Sequence, residues 1–182
     1  MEHKGAAAKG FPNLIKDIAQ RYSLSCLALF ETRVSGAIAD QILRKLRFFS
    51  SYVVHDEGFS GGIWLLWDPS LMHVDILKTH RQFIHTQITL IGSTSPFFAT
   101  FIYASPNSSL RRMLWDELRS LTNLAPWITL GDFNVGRLAS EKRGVAGPNL
   151  LSMSQFHNCL QSCNLTDMGF SGPPFTWEGR WG

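Results

Sequence analysis

The sequence predicts one domain of the α+β (α/β) class, in which helices pack against β-sheets. Its 182 residues are 45% hydrophobic and 17% charged, a composition typical of a single globular domain. Five strand-length runs follow one another between residues 49 and 103 with little helix between them, and they predict an antiparallel meander. The 13 Phe and 6 Trp residues favour a layered core built on sheets.

The N-terminal part predicts two helices around one strand. Residues 1–10 carry no periodic signal, so we expect them to be loose and the domain to occupy residues 11–182. Helical spacing predicts amphipathic helices over 11–22 and 37–46, whereas the apolar run 24–30 predicts a strand buried on both faces. The core positions expected in the second helix are Ile38, Ile42, Leu43 and Leu46.

The meander and the elements after it follow from hydrophobic runs between turn residues. The predicted strands cover 49–55, 61–67, 72–78, 83–91 and 96–103. A helix over 108–121, a short buried strand over 127–130 and a helix over 150–163 come next. Gly58, Gly61 and Gly62 predict a tight turn rather than a phosphate loop, because no helix with Lys and Ser/Thr follows them.

The strand at 127–130 leads into the most chemically suggestive stretch of the chain. Asp132 and Asn134 lie on either side of Phe133, so continued extended geometry would direct both side chains from one face of the strand end. Open α/β sheets bind ligands there. The carboxylate can accept a proton from water, and the amide can orient that water and a phosphate. The alternative is that these residues simply form a turn.

Three other polar residues occupy predicted strand or helix ends. Glu31 follows the first strand, where a carboxylate must be paired, hydrogen-bonded or bound to a metal, and Arg33 is an available partner. Tyr103 offers a hydroxyl at the end of the last meander strand. Asn107 is placed to cap the helix over 108–121.

Charge and cysteine usage narrow the classes of function. A net charge of +3 and a pI near 8.9 are compatible with a polyanionic partner without arguing for one. Three cysteines, including Cys159 and Cys163 on one predicted helix, make neither a disulfide framework nor a zinc site, so we expect buried thiols without a disulfide partner. No apolar run reaches the roughly 18 residues that span a bilayer. We therefore expect a soluble nuclear or cytoplasmic protein with no membrane partner.

Five motifs in a fixed order resemble the endonuclease/exonuclease/phosphatase superfamily, and within it the endonuclease domains of plant non-LTR (LINE-type) retrotransposons. The motifs are ALFETRV (28–34), GFSGGIWLLW (58–67), FIYASPN (101–107), PWITLGDFN (126–134) and PPFTW (173–177), and the resemblance covers residues 11–181. The resemblance implies a four-layer sandwich of two mixed β-sheets flanked by helices. It also implies hydrolysis of DNA phosphodiester bonds with Mg²⁺ or Mn²⁺ as cofactor.

The resemblance assigns a role to individual residues. Glu31 matches the metal-binding glutamate, and Asp132 matches the residue that activates water or positions the transition state. Asn134 matches its phosphate-orienting neighbour, and Tyr103 the tyrosine that hydrogen-bonds the scissile phosphate. The residues matched to substrate binding are Asn107, Thr176 and Trp177. Arg143 belongs to a charged turn, 141–144, that either meets a phosphate or is solvated.

Two parts of the family pattern are missing. His3, Lys4 and Gly5 stand where the family has an asparagine-bearing strand, and no Ser-Asp-His segment follows residue 177. None of the six histidines has a matching context, so we expect structural or surface roles for them. We therefore expect an incomplete sandwich that hydrolyses its substrate weakly or not at all. We also expect that this domain comes from a longer polypeptide that carries a reverse transcriptase. The alternative is a non-catalytic remnant that binds nucleic acid or protein around Lys142, Arg143 and Trp177.

Overall fold

The computed structural model describes residues 5–46, 50–55, 62–121, 125–136, 138, 141, 147, 149–169 and 171–172. They divide into two compact units, one of Met1–Ala104 with Asn123–Asp132 and the other of Ser105–Thr122 with Phe133–Gly182. The first unit contains α1 (Phe11–Arg21), β1 (Cys26–Phe30), α2 (Gly36–Lys45), β2 (Ser50–Val54), β3 (Ile63–Trp67), β4 (Met72–His80), β5 (Phe83–Leu90), β6 (Phe97–Tyr103) and β7 (Trp127–Asp132). The second contains α3 (Ser108–Arg119) and α4 (Leu150–Ser162).

The strands of the first unit form two sheets. One has the order β1-β3-β2 and is antiparallel throughout. The other has the order β4-β5-β6-β7, with β7 joined parallel to β6 and the remaining pairs antiparallel. The predicted meander is thus divided between two sheets, because a turn at Asp68 carries the chain from β3 to β4. The Asp68 carboxylate accepts hydrogen bonds from the Ser70 amide at 2.9 Å and the Ser70 hydroxyl at 2.6 Å, which fixes this turn.

Strand β3 is the centre of the packing because both of its faces are buried. Ile63 and Leu65 face a core shared with the second sheet, which also contains Ile84 and Phe101. Trp64 and Leu66 face the opposite side of the sheet, where residues of α1 and α2 cover them. The first sheet therefore separates the helices from the core between the sheets. The helix residues buried there are Ile15, Ala39 and Ile42, joined by Leu46 just beyond α2.

The sequence predicts that β1 is buried on both faces and that β7 is buried, and both expectations are wrong. All five residues of β1 are half-buried, and β7 alternates between half-buried and exposed positions before its exposed end. Both are edge strands of their sheets among the described residues. Ile128 and Leu130 of β7 are each 40% exposed although they lie in register with core residues of β6. An apolar run therefore marks these strands correctly but not their place in the sheet.

Smaller differences concern helix phase, the N-terminus and the thiols. Ala39 of α2 is buried, whereas the expected core residue Ile38 is 58% exposed. Residues 5–10, expected to be loose, include a 3-10 turn at Gly5–Ala7, and the amide of its buried Ala6 donates to the Thr32 carbonyl. Cys159 is buried as expected, but Cys26 and Cys163 are only half-buried.

In the second unit, α3 and α4 pack through aromatic side chains. The Trp115 and Phe156 rings lie 5.1 Å apart, and Phe133 packs on Phe156 at 5.0 Å. The buried guanidinium of Arg111 donates to the carbonyls of Ser105 at 2.8 Å and Pro106 at 2.7 Å, which fixes the chain entering α3.

Among the described residues, no helix has the length and apolar character needed to cross a membrane.

His85 is a buried polar residue on β5. Its Nδ1 atom lies 2.8 Å from the Thr100 hydroxyl, which also accepts a hydrogen bond from the Trp127 indole at 2.8 Å. The His85 ring stacks on Phe98 at 5.6 Å. Burial, with a smaller contribution from the charge of Lys78, lowers the pKa of His85. This histidine has the structural role that the sequence predicted.

Replacing His85 with Gln should reduce the pH dependence of stability. Because the pKa of His85 is lower in the folded chain than its ordinary value of 6.5, the unfolded chain binds the proton more readily. The contribution of neutral His85 to the free energy of unfolding is fully present above pH 6.5 and is lost as the pH falls below 6.5. The free energy of unfolding in urea should thus decrease on acidification in the parent, and less steeply in His85→Gln. His73→Gln, an exposed change on β4, should keep the parent slope, and an equal slope in His85→Gln would contradict the assignment.

Candidate active site

Three predicted site residues, Glu31, Tyr103 and Asp132, come together at the ends of β1, β6 and β7. The Tyr103 hydroxyl donates a hydrogen bond to Oε1 of Glu31. Tyr103 is also paired in register with Asp132 across the parallel strands, so the two side chains leave the same face of the sheet. Asp132 and Glu31 are exposed, whereas the Tyr103 side chain between them is buried. Two carboxylates and a phenol from distant parts of the sequence therefore share one rim of the first unit.

The tyrosine is held as a neutral hydrogen-bond donor. Its ring stacks on Phe30 of β1 with 5.9 Å between centroids and 18° between planes. Burial raises the pKa of Tyr103, and the hydrogen bond to Glu31 and the negative charges of Glu31 and Asp132 raise it further, against a smaller opposing effect of Arg33. The phenol consequently keeps its proton throughout the neutral pH range.

Glu31 forms an ion pair with Arg33, the partner that the sequence analysis named. The Arg33 guanidinium approaches Oε2 of Glu31 at 3.8 Å, while Oε1 accepts from Tyr103. Both side chains are about half exposed, at 55% for Arg33 and 46% for Glu31. An ion pair this exposed contributes only about 0–1 kcal/mol to stability, so Arg33 does not fix the carboxylate strongly.

The backbone around Glu31 turns two charged side chains outward and one neutral side chain inward. Glu31 and Arg33 both have φ of 52°, in the left-handed region that is unfavourable for residues with a side chain. Thr32 between them is 3% exposed, and its hydroxyl has no hydrogen-bond partner among the described residues. A Cβ atom at Gly62 would lie 2.8 Å from that hydroxyl, so this close contact requires glycine. The segment is thus held by packing beneath the carboxylate.

Asp132 is positioned by main-chain geometry. Its carbonyl accepts a hydrogen bond from the Ala104 amide at 2.8 Å, which closes the end of the β6–β7 pair. The preceding Gly131 has φ of 140°, and a Cβ atom there would lie 1.9 Å from the carbonyl oxygen of Ile102. Only glycine allows the two strands to approach this closely. The alternative that Gly131 and Asp132 are turn residues is wrong, because both are still part of the strand.

The asparagines differ from the simplest expectation. Strand geometry ends at Asp132, and Asn134 has φ of 48°, so the prediction that Asp132 and Asn134 share a face of one extended strand is wrong. A left-handed conformation is one that asparagine tolerates well. Asn107 is an N-cap, as the alternative proposed, since its Oδ1 accepts from the amides of Ser109 at 2.9 Å and Leu110 at 3.3 Å. Both asparagines belong to the second unit.

The remaining predicted site residues, Arg143, Thr176 and Trp177, lie outside the described residues. Within the described part of the chain, no group of three or more His, Cys, Asp and Glu side chains is arranged to hold a metal ion. The exposed carboxylates of Glu31 and Asp132 nevertheless fit Mg²⁺, which retains several waters and needs only one or two protein carboxylates.

Sequence reasoning missed the residues that support this rim. Phe30, Thr32 and Gly62 shape it through packing, and an apolar strand end or a buried threonine carries no distinctive signal in the sequence. Gly131 did carry one, because glycine at the end of a β-prone run indicates close approach of another backbone. The left-handed Glu31 and Arg33 carried none, since neither residue type favours that conformation.

Comparison with solved structures identifies the fold. The AP endonuclease from Archaeoglobus fulgidus superposes with a TM-score of 0.64 at 10% identity, covering 87% of this chain and 67% of that one. A mannosyl-6-phosphatase from Bacteroides thetaiotaomicron gives a TM-score of 0.55 at 12% identity, covering 81% and 61%. An endonuclease/exonuclease/phosphatase family protein from the same bacterium gives 0.52 at 14% identity, covering 69% and 55%.

The last of these neighbours is named as a member of the endonuclease/exonuclease/phosphatase family, and the two sheets and four α-helices among the described residues agree with its sandwich fold. The chain spans between 55 and 67% of the lengths of the three structures. No protein-family model and no curated protein matches the sequence. The fold class that the sequence predicted is thus confirmed.

Replacing Gly131 with Ala should destabilise the first unit and displace Asp132. The added Cβ overlaps the Ile102 carbonyl, and alanine is also strained at this φ, so the expected loss is about 3 kcal/mol or more in the free energy of unfolding. Gly92→Ala is the matched control, because Gly92 also has positive φ but faces open space. It should lose only about 1 kcal/mol. Equal losses in urea titrations would show that the close approach is not a constraint.

The hydroxyl of Tyr103 should ionise at unusually high pH, and Glu31 should be a cause. Absorbance of the phenolate during alkaline titration follows this ionisation, and Tyr103→Phe identifies its signal. Glu31→Gln removes the negative charge beside the phenol and should lower the pKa of Tyr103. Asp75→Asn, an exposed change on β4, should leave it as in the parent. A Tyr103 signal that is the same in Glu31→Gln would contradict the described contact.

Proposed function

We propose that this chain is a metal-dependent phosphodiester hydrolase of the DNA endonuclease type, with weak activity. The observation that supports it most is the meeting of Glu31, Tyr103 and Asp132 at one rim, through a hydrogen bond and a strand register. An AP endonuclease and a mannosyl-6-phosphatase share the fold. Cleavage of a phosphoester is the chemistry common to both names, and the three residues are suited to it.

Hydrolysis of a phosphodiester requires an attacking water in line with the leaving oxygen and compensation of the charge on the phosphoryl oxygens. In the proposed mechanism the Asp132 carboxylate orients the water and accepts its proton. The phenol of Tyr103 donates its hydrogen bond to a phosphoryl oxygen in place of Glu31. Its raised pKa favours this role, because a phenol that keeps its proton remains a donor.

The exposed carboxylates of Glu31 and Asp132 are the groups proposed to hold Mg²⁺ or Mn²⁺. When bound, the cation supplies positive charge to the phosphoryl oxygens. Arg33 places a further positive charge beside Glu31, at 3.8 Å from its carboxylate. Its exposed guanidinium can turn toward a phosphate, since the ion pair that holds it is weak.

Other predicted residues are proposed to bind the substrate. Asn134 would orient the phosphate, and Asn107 would contact the substrate through its amide nitrogen, since its Oδ1 caps α3. Arg143, Thr176 and Trp177 would contact DNA through charge and ring stacking. The five ordered motifs support the closer assignment to plant LINE-type endonucleases. Under that assignment the chain derives from a polypeptide that also carries a reverse transcriptase.

Supercoiled plasmid with Mg²⁺ or Mn²⁺ tests the proposal. Nicking should fall by about 100-fold or more in Asp132→Asn, which removes the proton acceptor, and in Glu31→Gln, which removes a metal ligand. Tyr103→Phe should retain the ring packing on Phe30 and lose roughly 10-fold, because one hydrogen bond to the transition state is absent. Asp75→Asn matches the charge change of the first variant at an exposed position of β4 and should nick like the parent.

Two results would oppose the proposal. Equal nicking by the parent, Asp132→Asn and Glu31→Gln would assign the activity to a contaminant. Binding of DNA that persists without metal, with no nicking by the parent, would favour the alternative of a non-catalytic nucleic-acid-binding remnant. The salt dependence of that binding would then measure how many phosphates the chain contacts.

A further inference from the structure

A cavity lined by lysines lies on the helical side of the first unit. Its volume is about 490 Å³, and its lining residues are Lys9, Pro12, Asn13, Lys16 and Lys45. Three of the five carry a positive charge and none carries a negative charge. Lys9 and Lys45 are exposed, whereas Lys16 is half-buried. The chemistry of this lining, ammonium groups and one amide, is suited to an anion with several oxygen acceptors.

The packing of two helices brings these lysines together. Ile15 of α1 and Leu46, just after α2, belong to one apolar cluster on the outer face of the first sheet. Lys16 follows Ile15 and Lys45 precedes Leu46, so burial of the apolar pair places a lysine from each segment at the same opening. The fold therefore adds Lys45, from the end of α2, to two lysines that are seven residues apart in and just before α1.

This cavity is distinct from the candidate active site. Strand residues alternate between the two faces of the first sheet, with Leu66 on the side of the helices and Leu65 on the side of the core between the sheets. Glu31, Tyr103 and Asp132 meet at the strand ends, where Tyr103 belongs to that inter-sheet core. The lysine cavity lies across the sheet from it. A ligand in the cavity therefore does not compete with the proposed catalytic groups.

The exposure of the lysines favours a polymer over a small anion. A site for a small ligand usually encloses most of its surface, whereas Lys9 and Lys45 are open to water and to screening by salt. A polyanion gains from release of its condensed counterions at each phosphate that a lysine neutralises. Lysine and asparagine contacts to phosphate fix the position of a nucleic acid without reading its sequence.

We propose that the lysine cavity binds the phosphodiester backbone of the DNA substrate at a distance from the bond that is cleaved. This inference rests on the proposed function, because it takes the substrate to be DNA. It adds a second anchoring surface, on the opposite face of the first sheet, which raises affinity for long DNA and leaves the chemistry at the strand ends unchanged. DNA long enough to reach both surfaces should bind more tightly than DNA that reaches one.

The test is the salt dependence of DNA binding, measured by fluorescence anisotropy of a labelled duplex with EDTA present. The triple variant Lys9→Gln, Lys16→Gln, Lys45→Gln should lower the slope of log affinity against log salt by about 2 to 3, since each neutralised phosphate contributes about 0.9. The matched control removes three other exposed positive charges, by Lys78→Gln, Arg81→Gln and Arg112→Gln. It should retain most of the parent slope. Hydrolysis of bis(p-nitrophenyl) phosphate should be the same in the lysine variant and the parent.

Three outcomes would overturn the inference. They are a parent-like slope in the lysine variant, an equal loss in the control variant, and binding of tripolyphosphate that is lost in the lysine variant while its DNA slope stays unchanged. The last would show that the cavity takes a small phosphate-bearing ligand. Absence of hydrolysis in every variant would count against the proposed function alone, because the slope is measured without metal and needs no catalysis.

Discussion

The parallel pairing of β7 with β6 is the constraint on which the candidate site depends. It joins a strand that arrives after α3 to the end of the antiparallel β4–β6 meander, and it sets Asp132 beside Tyr103. Tyr103 in turn reaches the first sheet through its hydrogen bond to Glu31 and its stacking on Phe30. One strand register thus links both sheets at the rim. The absence of a side chain at Gly131 is what permits this register at its last pairs.

The polar groups within the sheets add specificity to this arrangement. His85, Thr100 and Trp127 form a hydrogen-bonded group across three strands, and the Thr86 hydroxyl donates to the Ala99 carbonyl at 3.0 Å. A shift of β7 by one residue would break the contact with Trp127 and would turn Asp132 to the other face. Buried polar partners therefore help to select the register, in addition to the stability they contribute.

The sequence predicted the elements well because their hydrophobic periodicity is strong. Strands β4 and β6 begin within one residue of their predicted first residues, and α4 begins at the predicted residue. It did not predict the burial of β1 or β7, since an apolar run has the same appearance at the edge and at the centre of a sheet. Sequence reasoning also placed Glu31, Tyr103 and Asp132 at strand ends. Their meeting followed only from the family resemblance, because strand order depends on contacts between residues far apart in the chain.

The conformation of Asn134 shows another limit of the sequence. Two residues separated by one are on the same face only while the strand continues, and the strand ends at Asp132. In α2 only the first predicted core position is wrong: Ala39 is buried in the cluster that contains Trp64, whereas the more hydrophobic Ile38 is 58% exposed. Shape complementarity decided that choice, and hydrophobicity alone does not report it.

The left-handed backbone at Glu31 makes the acidic side chain unfavourable for stability, although the proposed chemistry requires it. A side chain in this conformation costs about 1 kcal/mol relative to glycine, and Arg33 carries a similar cost two residues later. Selection for stability alone would favour glycine at residue 31, where the chain bends without steric conflict. An acidic side chain at residue 31 is destabilising, and the surrounding packing has to compensate for it. A lineage released from the need for this carboxylate would gain robustness by losing it.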